Sequence, residues 1–128
     1  MPVVYLDTSA AMKLLVDEAE SATLAQMLDE QDRHVVASFL LHTELHCAAG
    51  RHPDVVDVDL VNQTLAAVEL FDVTRGDLIG SGTRSPLRSH DAIHLEVALR
   101  LGVDELATYD NELSDAARRA GLVVLAPN

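Results

Sequence analysis

Cysteine and aromatic side chains are scarce in this sequence. A single cysteine, Cys47, among 128 residues excludes an internal disulfide framework and favours a reducing compartment. Aromatic residues make up only 3% of the chain, so valine, leucine and alanine must fill the core. No apolar run is long enough to span a bilayer, and neither the basic start nor the cleavage region of a signal peptide is present. We therefore expect one cytoplasmic domain over residues 1–128.

Positive charge is also scarce. The chain has a single lysine, Lys13, and a formal net charge of −12. This balance argues against a nucleic-acid coat protein, because such proteins bind phosphates through a basic face. It permits a site that collects metal cations, or a basic partner protein. An acidic protein can still act on RNA when metal ions and a few arginines contact the phosphates.

Strand and helix patterns alternate along the chain. The valine-rich run Pro2–Leu6 suits a strand that is buried on both faces and lies in the middle of a parallel sheet. Further strands are predicted at 34–37, 68–71, 105–108 and 122–125, and helices at 10–16, 20–29, 39–50, 55–66, 77–85, 89–101 and 112–119. Strand 68–71 is expected at the sheet edge, and Gly50 is expected to end the third helix. The alternation predicts a three-layer α/β/α domain with a central, mainly parallel sheet.

Four acidic residues from distant stretches are expected at one edge of this sheet. Asp7 and Asp110 each follow a predicted strand, so both lie at its carboxyl edge. Asp91 stands in the first turn of a helix that returns antiparallel to the strands, which places it at the same edge. Glu44 lies about two turns into the helix after the second strand, within reach of that edge. The sequence therefore predicts a cleft lined by carboxylates.

Each acid also has a simpler interpretation. Asp7 and Asp110 suit helix N-caps, Asp91 suits an acid at a helix start, and Glu44 suits a partner for an arginine. Against this, four acids at one edge would repel one another unless cations neutralised them. All-oxygen ligands select Mg²⁺ or Mn²⁺. Such ions activate water and stabilise the leaving oxygen, which is the chemistry of phosphodiester hydrolysis.

The acids lie within short motifs that follow one another in a fixed order. These motifs are Tyr5-Leu6-Asp7-Thr8-Ser9-Ala10, Thr43-Glu44-Leu45, Leu87-Arg88-Ser89-His90-Asp91-Ala92-Ile93-His94-Leu95 and Thr108-Tyr109-Asp110. With the ending Gly121–Pro127, the ordered set resembles a PIN-domain ribonuclease, and within that family a VapC-type toxin of a bacterial toxin–antitoxin pair. The resemblance covers essentially the whole chain. The glycine-rich stretch 76–82 departs from the steady helix that is usual there.

The resemblance implies a Mg²⁺- or Mn²⁺-dependent endoribonuclease that cleaves RNA, is neutralised by a small cognate antitoxin and forms homodimers. The matching acids are Asp7, Glu44, Asp91 and Asp110, and Thr8 matches a hydroxyl position beside the metal. The main alternative is a catalytically inactive PIN-like module that acts through protein partners.

Other chemistries fit less well. His42/His46 and His90/His94 are both i, i+4 pairs, but the zinc protease pattern needs a glutamate directly after the first histidine, and none is there. Phosphoryl transfer to Asp7 needs a cation at a strand end, whereas Lys13 lies inside the first helix. Cys47 as a nucleophile lacks a facing base, because its neighbour His46 is adjacent on the helix.

Overall fold

A five-stranded sheet forms the centre of the molecule. The computed structural model describes residues 1–128, apart from the side chain of residue 31. The strands are β1 (Val3–Leu6), β2 (His34–Ser38), β3 (Glu69–Phe71), β4 (Glu105–Ala107) and β5 (Val123–Leu125). They lie in the order β3-β2-β1-β4-β5, and all neighbouring pairs are parallel. The predicted α/β class and the edge position of the third strand are therefore confirmed.

Seven helices cover the two faces of the sheet. They are α1 (Thr8–Leu15), α2 (Ser21–Asp29), α3 (Phe39–Arg51), α4 (Val58–Ala66), α5 (Arg75–Ser81), α6 (Ser89–Leu101) and α7 (Asn111–Arg119), with a short 3₁₀ helix at Glu30–Asp32. Val4 and Leu6 pack with residues of α1 to α4, whereas Tyr5 packs with residues of α6 and α7. Successive side chains of β1 point to opposite faces of the sheet, so the core is divided into two layers.

Several helix boundaries differ from the sequence prediction, among them those of α3, α4 and α5. Gly50 does not end α3, which continues to Arg51 and is capped by His52. Helix α4 begins at Val58 rather than residue 55, because the Asp57 side chain accepts a hydrogen bond from the backbone N–H of Asp59. Helix α5 covers Arg75–Ser81 rather than 77–85, since a reciprocal capping box between Thr74 and Asp77 fixes its start.

The sheet topology determines where Asp7 and Asp110 lie. The strand order reverses direction between β1 and β4, and ligands of open parallel sheets bind beyond the strand ends at such a point. Asp7 and Asp110 follow these two strands, and the backbone N–H of Asp7 donates to the carbonyl of Ala107 at 3.2 Å. Among the described residues, no helix has the length and apolar character needed to cross a membrane.

Candidate active site

Asp7 lies buried directly after β1, with 2% of its surface exposed. Its Oδ1 accepts hydrogen bonds from the backbone N–H of Ala10 and the hydroxyl of Ser9, both at 2.8 Å, so Asp7 is the N-cap of α1. Its Oδ2 accepts a hydrogen bond from the Thr108 hydroxyl. Burial raises the pKa of the Asp7 carboxyl, although the hydrogen bonds from Thr108 and Ala10 oppose that rise. Asp7 is therefore a cap whose carboxylate is held rigidly at the sheet edge.

Asp110 is the N-cap of α7. Its Oδ1 accepts the backbone N–H of Leu113 at 2.8 Å. Its own backbone N–H donates to Oγ1 of Thr108 at 3.1 Å. The Thr108 side chain thus links Asp110 to Asp7. Asp7 and Asp110 both make the helix-capping contacts that their simpler interpretation predicts. These contacts fix the two acids at one edge of the sheet.

Asp91 lies in the first turn of α6 and is partly buried. Burial raises the pKa of its carboxyl, and the negative charges of Asp110 and Asp7 raise it further. His94 opposes this rise, and the charge of Glu44 adds the smallest increase. Mutual repulsion of this kind requires proximity. Asp110, Asp7 and Glu44 therefore lie close enough to Asp91 for their charges to act on it.

Glu44 is held by two donors on one oxygen. Thr8 donates its hydroxyl hydrogen to Oε1 at 2.6 Å, and Nε2 of His94 lies 2.8 Å from the same atom. The arginine partner considered for Glu44 is thus replaced by a histidine and a threonine. Partial burial would raise the pKa of the Glu44 carboxyl, but the hydrogen bonds from His94 and Thr8 outweigh it and hold that pKa below its usual range.

His94 lies beneath the acids and is 1% exposed. Its Nδ1 lies 2.7 Å from the hydroxyl of Tyr5, which also lies 3.1 Å from the hydroxyl of Ser38. Its Nε2 is shared between Glu44 and the hydroxyl of Thr8, the latter at 3.2 Å. Because both ring nitrogens have partners inside the protein, His94 is a core histidine and does not pair with the exposed His90.

Sequence reasoning missed the residues that hold the acids in place. Thr108 and Ser9 fix Asp7, and His94 fixes Glu44. One signal was available for His94, which stands one turn after Asp91 on an otherwise apolar helix and therefore shares its face. Thr108 gave no such signal, because its partner lies on another strand.

The carboxylates fit a metal ion as an open site. In the part of the chain that the structure describes, no three His, Cys, Asp or Glu side chains form a ready-made metal cage. Mg²⁺ does not need one, since it keeps several waters and is bound through one or two carboxylates and substrate phosphates. The like charge that raises the pKa of Asp91 is the charge that a cation would neutralise. The donors are all oxygens, which suits Mg²⁺ or Mn²⁺.

A groove of about 490 Å³ runs from this site along α3. Thr8 and Glu44 line one part of it, and the exposed side chains Arg51, His52 and His90 line another. Lys13 lies outside the groove and binds Glu18 and Glu20 at 2.6 and 2.9 Å. The groove is therefore lined by Arg51 as well as by Glu44, in a strongly acidic protein.

Fold and site together define an α/β domain that gathers carboxylates at the carboxyl edge of a parallel sheet. The chain belongs to the PIN domain family, whose model matches residues 4–119. Ribonuclease VapC46 of Mycobacterium tuberculosis is 38% identical over 143 aligned residues, which cover 100% of both chains.

Two solved structures share the fold. VapC20 of Mycobacterium tuberculosis, a sarcin–ricin loop cleaving toxin, matches with a TM-score of 0.75 and 18% identity over 97% of this chain and 99% of that one. VapBC-1 of nontypeable Haemophilus influenzae matches with a TM-score of 0.72 and 15% identity over 96% of each chain. The predicted family and architecture are confirmed.

Proposed function

We propose that this chain is a Mg²⁺- or Mn²⁺-dependent endoribonuclease and the toxin of a VapBC-type toxin–antitoxin pair, with residues 1–128 forming one nuclease domain. The catalytic and metal-binding carboxylates are Asp7, Glu44, Asp91 and Asp110, and Thr8 supports them.

The observation that carries this proposal is that the charges of Asp110, Asp7 and Glu44, which come from three other segments of the chain, all raise the pKa of Asp91. Two of these acids would suffice to cap helices, but caps alone do not require Asp91 and Glu44 to lie near them. Membership of the PIN family and the full-length likeness to a ribonuclease at 38% identity support hydrolysis of RNA.

The four acids have different surroundings and therefore different tasks. Asp7 is buried and bonded through both oxygens, so it provides a fixed negative charge at the base of the site. Asp91 and Asp110 are partly exposed at the rim and are the carboxylates that can reach an ion carrying water ligands. A bound Mg²⁺ would neutralise phosphate charge and lower the pKa of a water molecule. Arg51, in the adjoining groove, is placed to contact a neighbouring phosphate.

The proposed partners are an RNA substrate, a cognate antitoxin and a second copy of the chain. The structural likeness to VapBC-1 supports the antitoxin. Leu78 and Ile79 on α5 are 53% and 65% exposed and provide an apolar surface that a second copy would cover. Light scattering of the purified protein tests the dimer. An RNA-cleaving toxin meets its substrate in the cytoplasm, which is the location that we propose.

The test is cleavage of structured RNA by the purified protein in Mg²⁺ or Mn²⁺, with and without EDTA. Asp91→Asn keeps the shape of the side chain, so we expect the rate to fall by about 100-fold or more, as when a charge-stabilising group is removed. Asp54→Asn is the matched control, since Asp54 is an exposed loop acid. Cleavage that survives EDTA would refute the metal mechanism. A protein that binds its antitoxin but leaves every RNA intact would favour the inactive module.

A further inference from the structure

We propose that His94 is a positioning residue for Glu44, holding one carboxylate oxygen so that the other is presented to the metal or to its bound water. This inference rests on the proposed function, because it assigns a task within the same site. His94 touches neither RNA nor metal in this proposal and acts through the glutamate alone.

The contacts at Glu44 are strongly asymmetric. Oε1 receives the Thr8 hydroxyl at 2.6 Å and the His94 ring at 2.8 Å. Among the described residues, Oε2 accepts no hydrogen bond. Two donors converging on one oxygen fix the side-chain torsions of Glu44, because rotation would break both bonds together. Glu44 lines the groove together with Thr8 and His90, and in this proposal Oε2 is the oxygen that it presents there.

The orientation of the His94 ring is itself fixed by the contact that its other nitrogen, Nδ1, makes with Tyr5. A contact of 2.8 Å between Nε2 and a carboxylate oxygen requires a hydrogen on Nε2. In a neutral ring Nδ1 is then an acceptor, and the Tyr5 hydroxyl lies 2.7 Å from it as the donor. Burial raises the pKa of the Tyr5 hydroxyl, so Tyr5 keeps its proton. The Tyr5 oxygen also lies 3.1 Å from the hydroxyl of Ser38, which is its second hydrogen-bond partner.

This arrangement is more specific than burial of a histidine requires. A core histidine needs partners for its two nitrogens, but any pair of polar groups would serve. Here one partner is a proposed catalytic acid from α3, 50 positions away in the sequence. Groups that orient metal-binding side chains in this way are worth about 10- to 100-fold in metal affinity or activity.

The experiment compares wild type, His94→Gln and His94→Leu. Glutamine can place an N–H near the position of Nε2, whereas leucine fills the space without a donor. Mn²⁺ affinity is measured by calorimetry on RNA-free protein, and kcat and KM are measured separately with RNA. We expect His94→Leu to weaken Mn²⁺ binding about 10- to 100-fold and to lower kcat more than it raises KM. His94→Gln should restore most of both quantities.

Val97→Ala is the matched control for packing, since Val97 is buried on the same helix but its side chain has no hydrogen-bonding group. It should lose stability while keeping Mn²⁺ affinity. Should His94→Leu fail to fold, ¹⁵N NMR of wild-type protein tests the same geometry. The His94 ring must then carry hydrogen on Nε2, and a bare Nε2 would overturn the proposal.

The outcomes separate the two hypotheses. If wild type binds Mn²⁺ and cleaves RNA but His94→Leu does both equally well, the positioning role is refuted and the proposed function stands. A folded His94→Gln that is as weak as His94→Leu would also refute it. If wild type neither binds Mn²⁺ nor cleaves RNA, the proposed function itself fails, and this inference fails with it.

Discussion

The hydroxyl of Thr108 donates a hydrogen bond to Oδ2 of Asp7, joining residues that are 101 positions apart in the sequence. Both residues are buried. The bond forms because β1 and β4 are neighbours, so the residues that follow them face each other across the point where the sheet order reverses. The same hydroxyl accepts the backbone N–H of Asp110 at 3.1 Å. One threonine therefore ties together the start of two helices and two of the proposed catalytic acids.

Thr108→Val should destabilise the protein by about 1–3 kcal/mol, because Oδ2 of the buried Asp7 loses its shorter hydrogen bond and keeps only the longer one from the Ser9 hydroxyl, at 3.0 Å. Thr108→Ser keeps the hydroxyl and should lie close to wild type. The measurement is urea unfolding at neutral pH. Equal stability of the valine and serine variants would show that the bond contributes nothing to folding.

The stability of the metal-free protein should depend on pH through Asp91. Its pKa is raised in the folded state by burial and by Asp110 and Asp7. The folded state then holds the proton more tightly, so this carboxyl's contribution to stability decreases as pH rises from its unfolded pKa of about 3.9 through the raised folded value. We expect Asp91→Asn to gain stability over wild type across that window in EDTA. Parallel melting curves with no pH-dependent difference would contradict the clustering of the acids.

The stabilisation of the protein by Mg²⁺ should depend on the Asp7 carboxylate. Asp7→Asn removes a buried charge while an asparagine still caps α1, but its amide nitrogen cannot accept the Thr108 hydrogen bond, so we expect its stability in EDTA to lie within about 1 kcal/mol of wild type. Mg²⁺ at ten times its dissociation constant should stabilise wild type by about 1.4 kcal/mol and the variant much less. Thermal unfolding of both proteins, with and without Mg²⁺, measures both effects. Identical melting temperatures in all four samples would leave Asp7 as a helix cap only.

Arg51 should contribute to RNA affinity. It lies in the groove that begins at Glu44 and carries the positive charge there. Arg51→Gln should weaken RNA binding and reduce the slope of log affinity against log salt by about 1, the effect of losing one phosphate contact. Binding is measured in EDTA so that the RNA stays intact. Arg118→Gln is the control, because Arg118 is exposed on α7. If both variants bind alike, the groove is not the path of the RNA.

The helix whose bounds the sequence predicted best, α6, has a clear local signal at its C-terminal end. Ser89–Leu101 has the predicted bounds, since its apolar pattern stops at Gly102, whose φ of 67° suits glycine. Gly50 offered the same signal within α3, but the helix continues past it. Only two glycines among the described residues have positive φ, Gly102 and Gly121, so a glycine in the sequence permits a helix end without requiring one.

The four acids were proposed from the sequence because each has a local signature. Asp7 and Asp110 follow apolar strands, and Asp91 opens the most apolar helix, so the parallel topology alone places them at one edge. Glu44 was placed by its motif and its distance along α3. The sequence offered two alternatives for Asp7, a helix cap or a site residue. The two are compatible in the structure, because the carboxylate that caps α1 also accepts a hydrogen bond from Thr108.

By itself the sequence determined the order of elements, the parallel sheet and the identity of the acidic residues. These follow from hydrophobic periodicity, capping chemistry and the handedness of strand crossovers, all of which act over short stretches of chain. Only the tertiary structure decided how the acids are held: Thr108 on Asp7, and Tyr5 and His94 behind Glu44. These bonds span 50 to 101 positions, and a hydrogen bond forms only within about 3 Å. That distance is set by the packing of α3 and α6 against the sheet, which no local pattern contains.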